Sequence, residues 1–111
     1  MKTLPAWLTL TADAATIQLA RAAAMNGMRV DRLTLRYPTV GDVRAAEKQA
    51  PSDQAERELI LFASLAGVGP RDLEGLSMRD YRRVQEGYFR LDAADDDQPV
   101  AVAPGLSPAG D

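Results

Sequence analysis

Two runs of alternating side chains flank Asn26-Gly27, and nothing else in the chain constrains the fold as strongly. Ile17 and Leu19 alternate with Gln18 and Ala20, and Leu33, Leu35 and Tyr37 alternate with Thr34 and Arg36. Alternation with period two gives a strand one apolar face. Asn-Gly tolerates the positive φ of a tight turn, so a β-hairpin is expected. Its register has two readings. A two-residue turn at Asn26-Gly27 sets Leu19 opposite Thr34 and puts the apolar faces in conflict. A three-residue loop, Met25-Asn26-Gly27, sets Ile17 opposite Leu35 and Leu19 opposite Leu33, with Gly27 at the left-handed bulge position. The second register is the expected one, because it gathers all four aliphatic side chains on one face. Upstream, Trp7, Leu8 and Leu10 suit a short strand whose register nothing sets.

Helices follow Pro38, which has no amide hydrogen to extend the pairing. Thr39-Val40-Gly41-Asp42 has the form of a capping box, and Val40, Val43, Ala46 and Ala50 recur at helical spacing until Pro51. Ser52-Asp53 caps a second helix, with Glu56 and Glu58 near its positive end. That helix is apolar on most sides, from Ala55 to Ala66, and Gly67 suits its C-cap. Pro70 opens a short third helix to about Leu76. Ser77 to Asp80 starts a fourth, with Met78, Tyr81, Val84, Tyr88 and Leu91 along one side. After Leu91 the periodicity stops, and prolines, glycines and aspartates take over. The expected fold is α+β: an N-terminal β-hairpin followed by a small bundle of three to four helices. Residues 1–91 form one domain in this reading and 92–111 a flexible acidic tail.

Composition narrows the function. The chain has 111 residues, enough for one domain, and 46% of them are hydrophobic, as in an ordinary globular core. It lacks cysteine and histidine. That removes thiolate chemistry, the usual neutral-pH base and the commonest transition-metal ligands. The carboxylates Asp42, Glu47, Asp53, Glu56 and Asp80 read as caps and solvated pairs rather than an acid–base set. Asp95-Asp96-Asp97 lacks the glycine and later glutamate of a calcium loop. Gly67-Val68-Gly69 lacks the Lys-Ser/Thr of a phosphate loop. No catalytic residue, metal or cofactor is expected, and the chain reads as a binding protein rather than an enzyme.

Charge argues against nucleic acid as the partner. Of 16 acidic residues five lie in 92–111, which has no Lys or Arg, so 13 basic residues face 11 acids upstream. No apolar run reaches membrane-spanning length. The segment from Lys2 to Ala14 faintly resembles a signal peptide, but Pro5 and Thr9 interrupt it, and a cytoplasmic location is expected. The rival function is DNA binding, with residues 59–76 as a helix-turn-helix around Gly67. Its would-be recognition helix, Pro70-Arg71-Asp72-Leu73-Glu74-Gly75-Leu76, carries two acids and no Asn, Gln, Ser or Thr for base edges.

Taken in order, these pieces resemble a known family. Leu33-Thr34-Leu35-Arg36 leads into Pro38-Thr39-x-Gly41-Asp42. Then come Leu65-x-Gly67-Val68-x-Pro70-x-Asp72-Leu73 and Leu76-x-x-x-Asp80-Tyr81. From about Ile17 to Leu91 the chain is similar to the tail assembly chaperones of contractile-tailed phages of the Mu and P2 type. The resemblance implies a non-catalytic helper that binds the tape-measure protein and keeps it soluble, and that is absent from the mature virion. It also implies a possible partner in the chain itself, as an oligomer or in a longer frameshifted form. Such a chaperone needs an apolar surface on a soluble body. Tyr81, Val84, Tyr88 and Phe89 are the candidate contacts. Tyr88 and Phe89 point about 100° apart on a helix, so the alternative is that they belong to one wide core face.

The tail reading is testable. Beyond Ala93 the only sizeable aliphatic side chains are Val100, Val102 and Leu106. A chain ending at Asp92 should keep its thermal midpoint within about 3 °C of the full chain by circular dichroism, as expected when little surface is lost. Unfolding on truncation would mean that those three side chains pack on the body.

Overall fold

The computed structural model describes residues 4–97, with side chains to Ala93. Three strands come first: β1 (Leu8–Leu10), β2 (Ala14–Met25) and β3 (Met28–Arg36). Four helices follow: α1 (Val40–Gln49), α2 (Gln54–Ala66), α3 (Pro70–Glu74) and α4 (Met78–Asp97). The sheet is antiparallel in the order β1-β2-β3, so the fold is α+β with one strand more than the expected hairpin. Helix α4 continues to Asp97, six residues past Leu91, where the apolar periodicity ends. The rest of the expected tail, 98–111, lies outside the described residues.

The expected three-residue register does not form, and the two-residue turn holds only at the tip. At the tip Met25 pairs with Met28, so the turn is the two-residue Asn26-Gly27, with φ of 55° and 77°. Those positive values belong to the turn type whose twist suits a hairpin. Lower down, Ile17 pairs with Leu33 and Ala15 with Leu35, instead of Ile17 with Leu35 and Leu19 with Leu33. Between the two zones, Leu19 to Ala22 stand against Asp31 alone, a large bulge in β2. The bulge absorbs the conflict that argued against the two-residue turn. Leu19 remains buried beside Ala15, Ile17, Leu33 and Leu35.

The bulge leaves amides without a strand partner, and Asp80 supplies one. Ala20 N–H donates to Asp80 Oδ1 at 2.7 Å and Arg21 N–H to Oδ2 at 3.1 Å. Asp80 is fully buried, and its own N–H donates to the capping hydroxyl of Ser77 at 3.2 Å. One helix start therefore holds its own cap and the irregular strand together. Arg83, one turn on, donates to Gln18 O at 2.8 Å and lies 5.2 Å from the centre of the Trp7 ring.

The core forms where α2 packs on β3 and α4 on β2 and β1. Gly87 permits the close approach of α4: a Cβ there would lie 2.9 Å from Cδ1 and Cγ1 of the buried Ile17. Elsewhere the boundaries follow the expected caps. Thr39 and Asp42 form a reciprocal box, and Arg36 reaches the same carboxylate at 2.6 and 2.9 Å. Those guanidinium contacts, then the Thr39 amide, hold the Asp42 carboxyl well below the usual range. Asp53 caps α2, and Gly67 ends it in the left-handed region.

The Asp80 anchor carries a prediction. Removing a carboxylate that serves two sheltered amides leaves both donors unsatisfied. Asp80→Ala should lower unfolding stability in urea by about 2–3 kcal/mol, and Asp80→Asn, which keeps one acceptor, by less. Equal urea midpoints for the parent and the alanine variant would contradict this account of the bulge.

Candidate partner-binding groove

Helix α4 distributes the four candidate contacts around its circumference. Val84 points into the sheet and is 0% exposed, so it belongs to the core and offers no contact surface. Tyr81 and Tyr88 turn towards α2 and are half-buried against Phe62, with ring centroids 6.1 and 5.0 Å away. Phe89 points outward at 64% exposure. The structure thus brings Tyr81 and Tyr88 together through Phe62, sets Phe89 at the exposed edge beside Tyr88, and separates Val84 from them.

Between α2 and α4 the helices meet through side chains, and the space between them is a groove with two hollows. One, of about 410 Å³, is lined by Leu59, Leu73, Leu76, Met78 and Tyr81 among others. The other, of about 320 Å³, is lined by Leu61, Phe62, Tyr88 and Phe89 beside Arg57 and Gln54. Glu58 and Gln85 border both hollows. Glu58 accepts from Tyr81 Oη at 3.1 Å and from Gln85 Nε2 at 3.0 Å, a polar waist between the two hollows, and Asp53, Glu56 and Glu74 add an acidic rim to the first. Met78, 60% exposed, and Phe89 mark the outer ends on α4.

Met78 stood on the predicted apolar stripe, but Leu61, Phe62, Glu58 and Gln85 carried no signal that set them apart. Helix α2 is apolar on so many sides that its groove residues read as core. Glu58 read as a charge near the helix start. Only the crossing of α4 turns these positions into a lining.

The arrangement suits binding. The Glu58 carboxylate is occupied by two donors, and among the described residues no cluster of three or more acids could hold a metal ion. The segment that resembles a helix-turn-helix has another use. Helix α3 has only five residues, and Leu73 is buried. Arg71 is paired with Glu56 at 3.2 Å and Glu74 at 2.6 Å. Asp72 accepts from the amides of Gly69 and Asn26, while Asn26 Nδ2 donates to Gly67 O at 3.1 Å. The glycine-rich turn is a latch for the hairpin tip, not a mount for a base-reading helix.

The waist has a pH consequence. Burial pushes the Tyr81 phenol above its usual range, and the Glu58 carboxylate pushes it further. Tyr88 is raised by burial, then by Asp92 and Tyr37. A phenol that keeps its proton in the folded state but loses it on unfolding favours the unfolded chain in alkali. Stability should therefore hold below the ordinary tyrosine value of about 10 and fall as pH rises above it. Tyr81→Phe should lessen that fall in urea titrations across this window. An identical alkaline slope in parent and variant would contradict the assignment.

A family model described as "Phage tail assembly chaperone proteins, E, or 41 or 14" matches residues 16–93. That span takes in β2 from Thr16, all of β3, and the helices that form the latch, the bulge anchor and the groove, with α4 as far as Ala93. No curated protein and no solved structure gives a match. With most of its length covered by that model, the chain belongs to the phage tail assembly chaperone family.

Proposed function

We propose that the groove between α2 and α4 binds the tape-measure protein and keeps it soluble in the host cytoplasm while a contractile tail is assembled. The carrying observation is the pair of exposed apolar side chains, Met78 and Phe89, at the ends of a groove with an apolar patch on each side of a polar waist. A long helical partner has apolar stripes that aggregate when uncovered. Laid in the groove, one such stripe would meet Leu61, Phe62 and Tyr88 on one side of the waist and Leu59 and Leu76 on the other. Glu58 and Gln85 would sit between as hydrogen-bonding groups that set register. In this role the chain performs no covalent chemistry and uses no cofactor, and it leaves before the virion is complete. Family membership supports the assembly role; the tape-measure partner is what the family resemblance implies, and the groove offers a surface that suits it.

Co-expression tests the reading. The parent chain should raise the soluble fraction of the tape-measure protein and co-purify with it. The double substitution Met78→Ser and Phe89→Ser should reduce that gain severalfold while leaving the thermal midpoint within about 3 °C, because both side chains are exposed. No change in solubility together with no co-purification would overturn the proposal.

A further inference from the structure

Helix α4 has a second face. Asp80, Val84, Gly87 and Leu91 point inward and are buried. At 100° per residue the opposite side carries Met78, Arg82, Gln85, Phe89 and Asp92. All but the half-buried Gln85 are exposed. Their alternating spacing of four and three residues is that of a helix–helix seam.

Beside the buried Asp80 of its first turn, α4 carries exposed charges of both signs. Arg79 and Arg82 lie in its N-terminal half and Asp92 in its C-terminal half. Among the described residues Arg79, Arg82 and Asp92 form no ion pair. Arg82 and Asp92 are thus exposed charges of opposite sign without an ion-pair partner among the described residues, and an antiparallel copy of the same helix would set each against the other.

We propose that two copies of this chain pair through the outer face of α4, antiparallel, about a two-fold axis over Gly87. The register follows from the spacing. Arg82 and Asp92 each stand five residues from position 87, and Gln85 and Phe89 each stand two. A two-fold there sets Arg82 of each copy opposite Asp92 of the other and places Phe89 beside Gln85. The contact is isologous: one patch satisfies itself. It covers Phe89, the most exposed aromatic ring on α4, without disturbing the inward stripe. The inference rests on the geometry of α4 and goes beyond the tape-measure reading; Met78, Gln85 and Phe89 serve both surfaces, so a tape-measure segment would displace the second copy, whereas Arg82 and Asp92 lie outside the groove lining and test the pairing alone.

Charge reversal tests it on the free full-length chain by sedimentation equilibrium at low salt. The parent should show twice the 12.0 kDa of one chain, with association weakening as salt screens the pairs. Arg82→Asp alone and Asp92→Arg alone should each weaken association at least about tenfold, since like charges then face each other. An equimolar mixture of the two variants should regain the double mass, because every contact between positions 82 and 92 again joins opposite charges. Both substitutions are at exposed sites, and unchanged circular dichroism will show that each variant is folded. A parent that stays at single mass overturns the proposal, as would a core-driven or tail-driven association in which either variant pairs as well as the parent. A mixture that fails to recover does the same.

Discussion

The carboxylate of Asp80 is the fixed point of this fold. A strand that departs from its ladder for four residues loses its hydrogen-bond partners, and buried or half-buried amides do not tolerate that loss. Asp80 accepts from two of them while Ser77 anchors the amide of Asp80 itself. With the bulge held, β2 can satisfy a tight turn at its tip and an aliphatic face at its base, although the two ask for different registers. Gly87 then lets α4 lie close over Ile17. The groove inherits its geometry from that placement, because α4 supplies one wall and α2, seated on β3, the other.

The opposite end of the hairpin is held by a similar economy of parts. Asn26 supplies a positive φ to the turn, an amide to Asp72 and a side-chain donor to Gly67. Asp72 in turn holds the start of α3 through Gly69. The stretch from Gly67 to Asp72 resembled a DNA-binding turn in sequence because the requirements overlap: a left-handed glycine to stop one helix and a proline to start another. The difference lies in what the following helix offers. Here it is a single short turn, with its leucine buried and its arginine in ion pairs.

Much of this was legible from local chemistry. Thr39, Asp53, Gly67, Pro70 and Ser77 each carry a physical reason to start or stop a helix, and the helices begin and end at them. The alternation of Ile17, Leu19, Leu33 and Leu35 revealed which side chains share a face. The register stayed hidden because its arbiter is a carboxylate sixty residues downstream of the bulge. Strand β1 was only hinted at, since three residues carry no turn signature; it is held where Trp7 O accepts from Gln18 N–H at 2.8 Å. The end of α4 was placed too early because its last turns are acidic and carry no apolar period. An apolar stripe also cannot say which of its members is covered. Val84 and Tyr81 read alike in sequence, yet one lies under the sheet and the other borders the groove.

The distance between the bulge and Asp80 bears on how the protein comes to be made. The hairpin leaves the ribosome before α4 does, and at that moment its two ends favour registers that cannot both extend. A nascent chain that stops short of Ser77 has no carboxylate to settle the matter, so its strands are free to slip and to offer unpaired edges to neighbours. Completion of α4 ends that interval. The register therefore waits on a contact between residues about sixty apart in sequence, and non-local contacts of this kind form slowly. A protein whose family assists the assembly of others passes through its own vulnerable stage during synthesis, and its last helix brings that stage to a close.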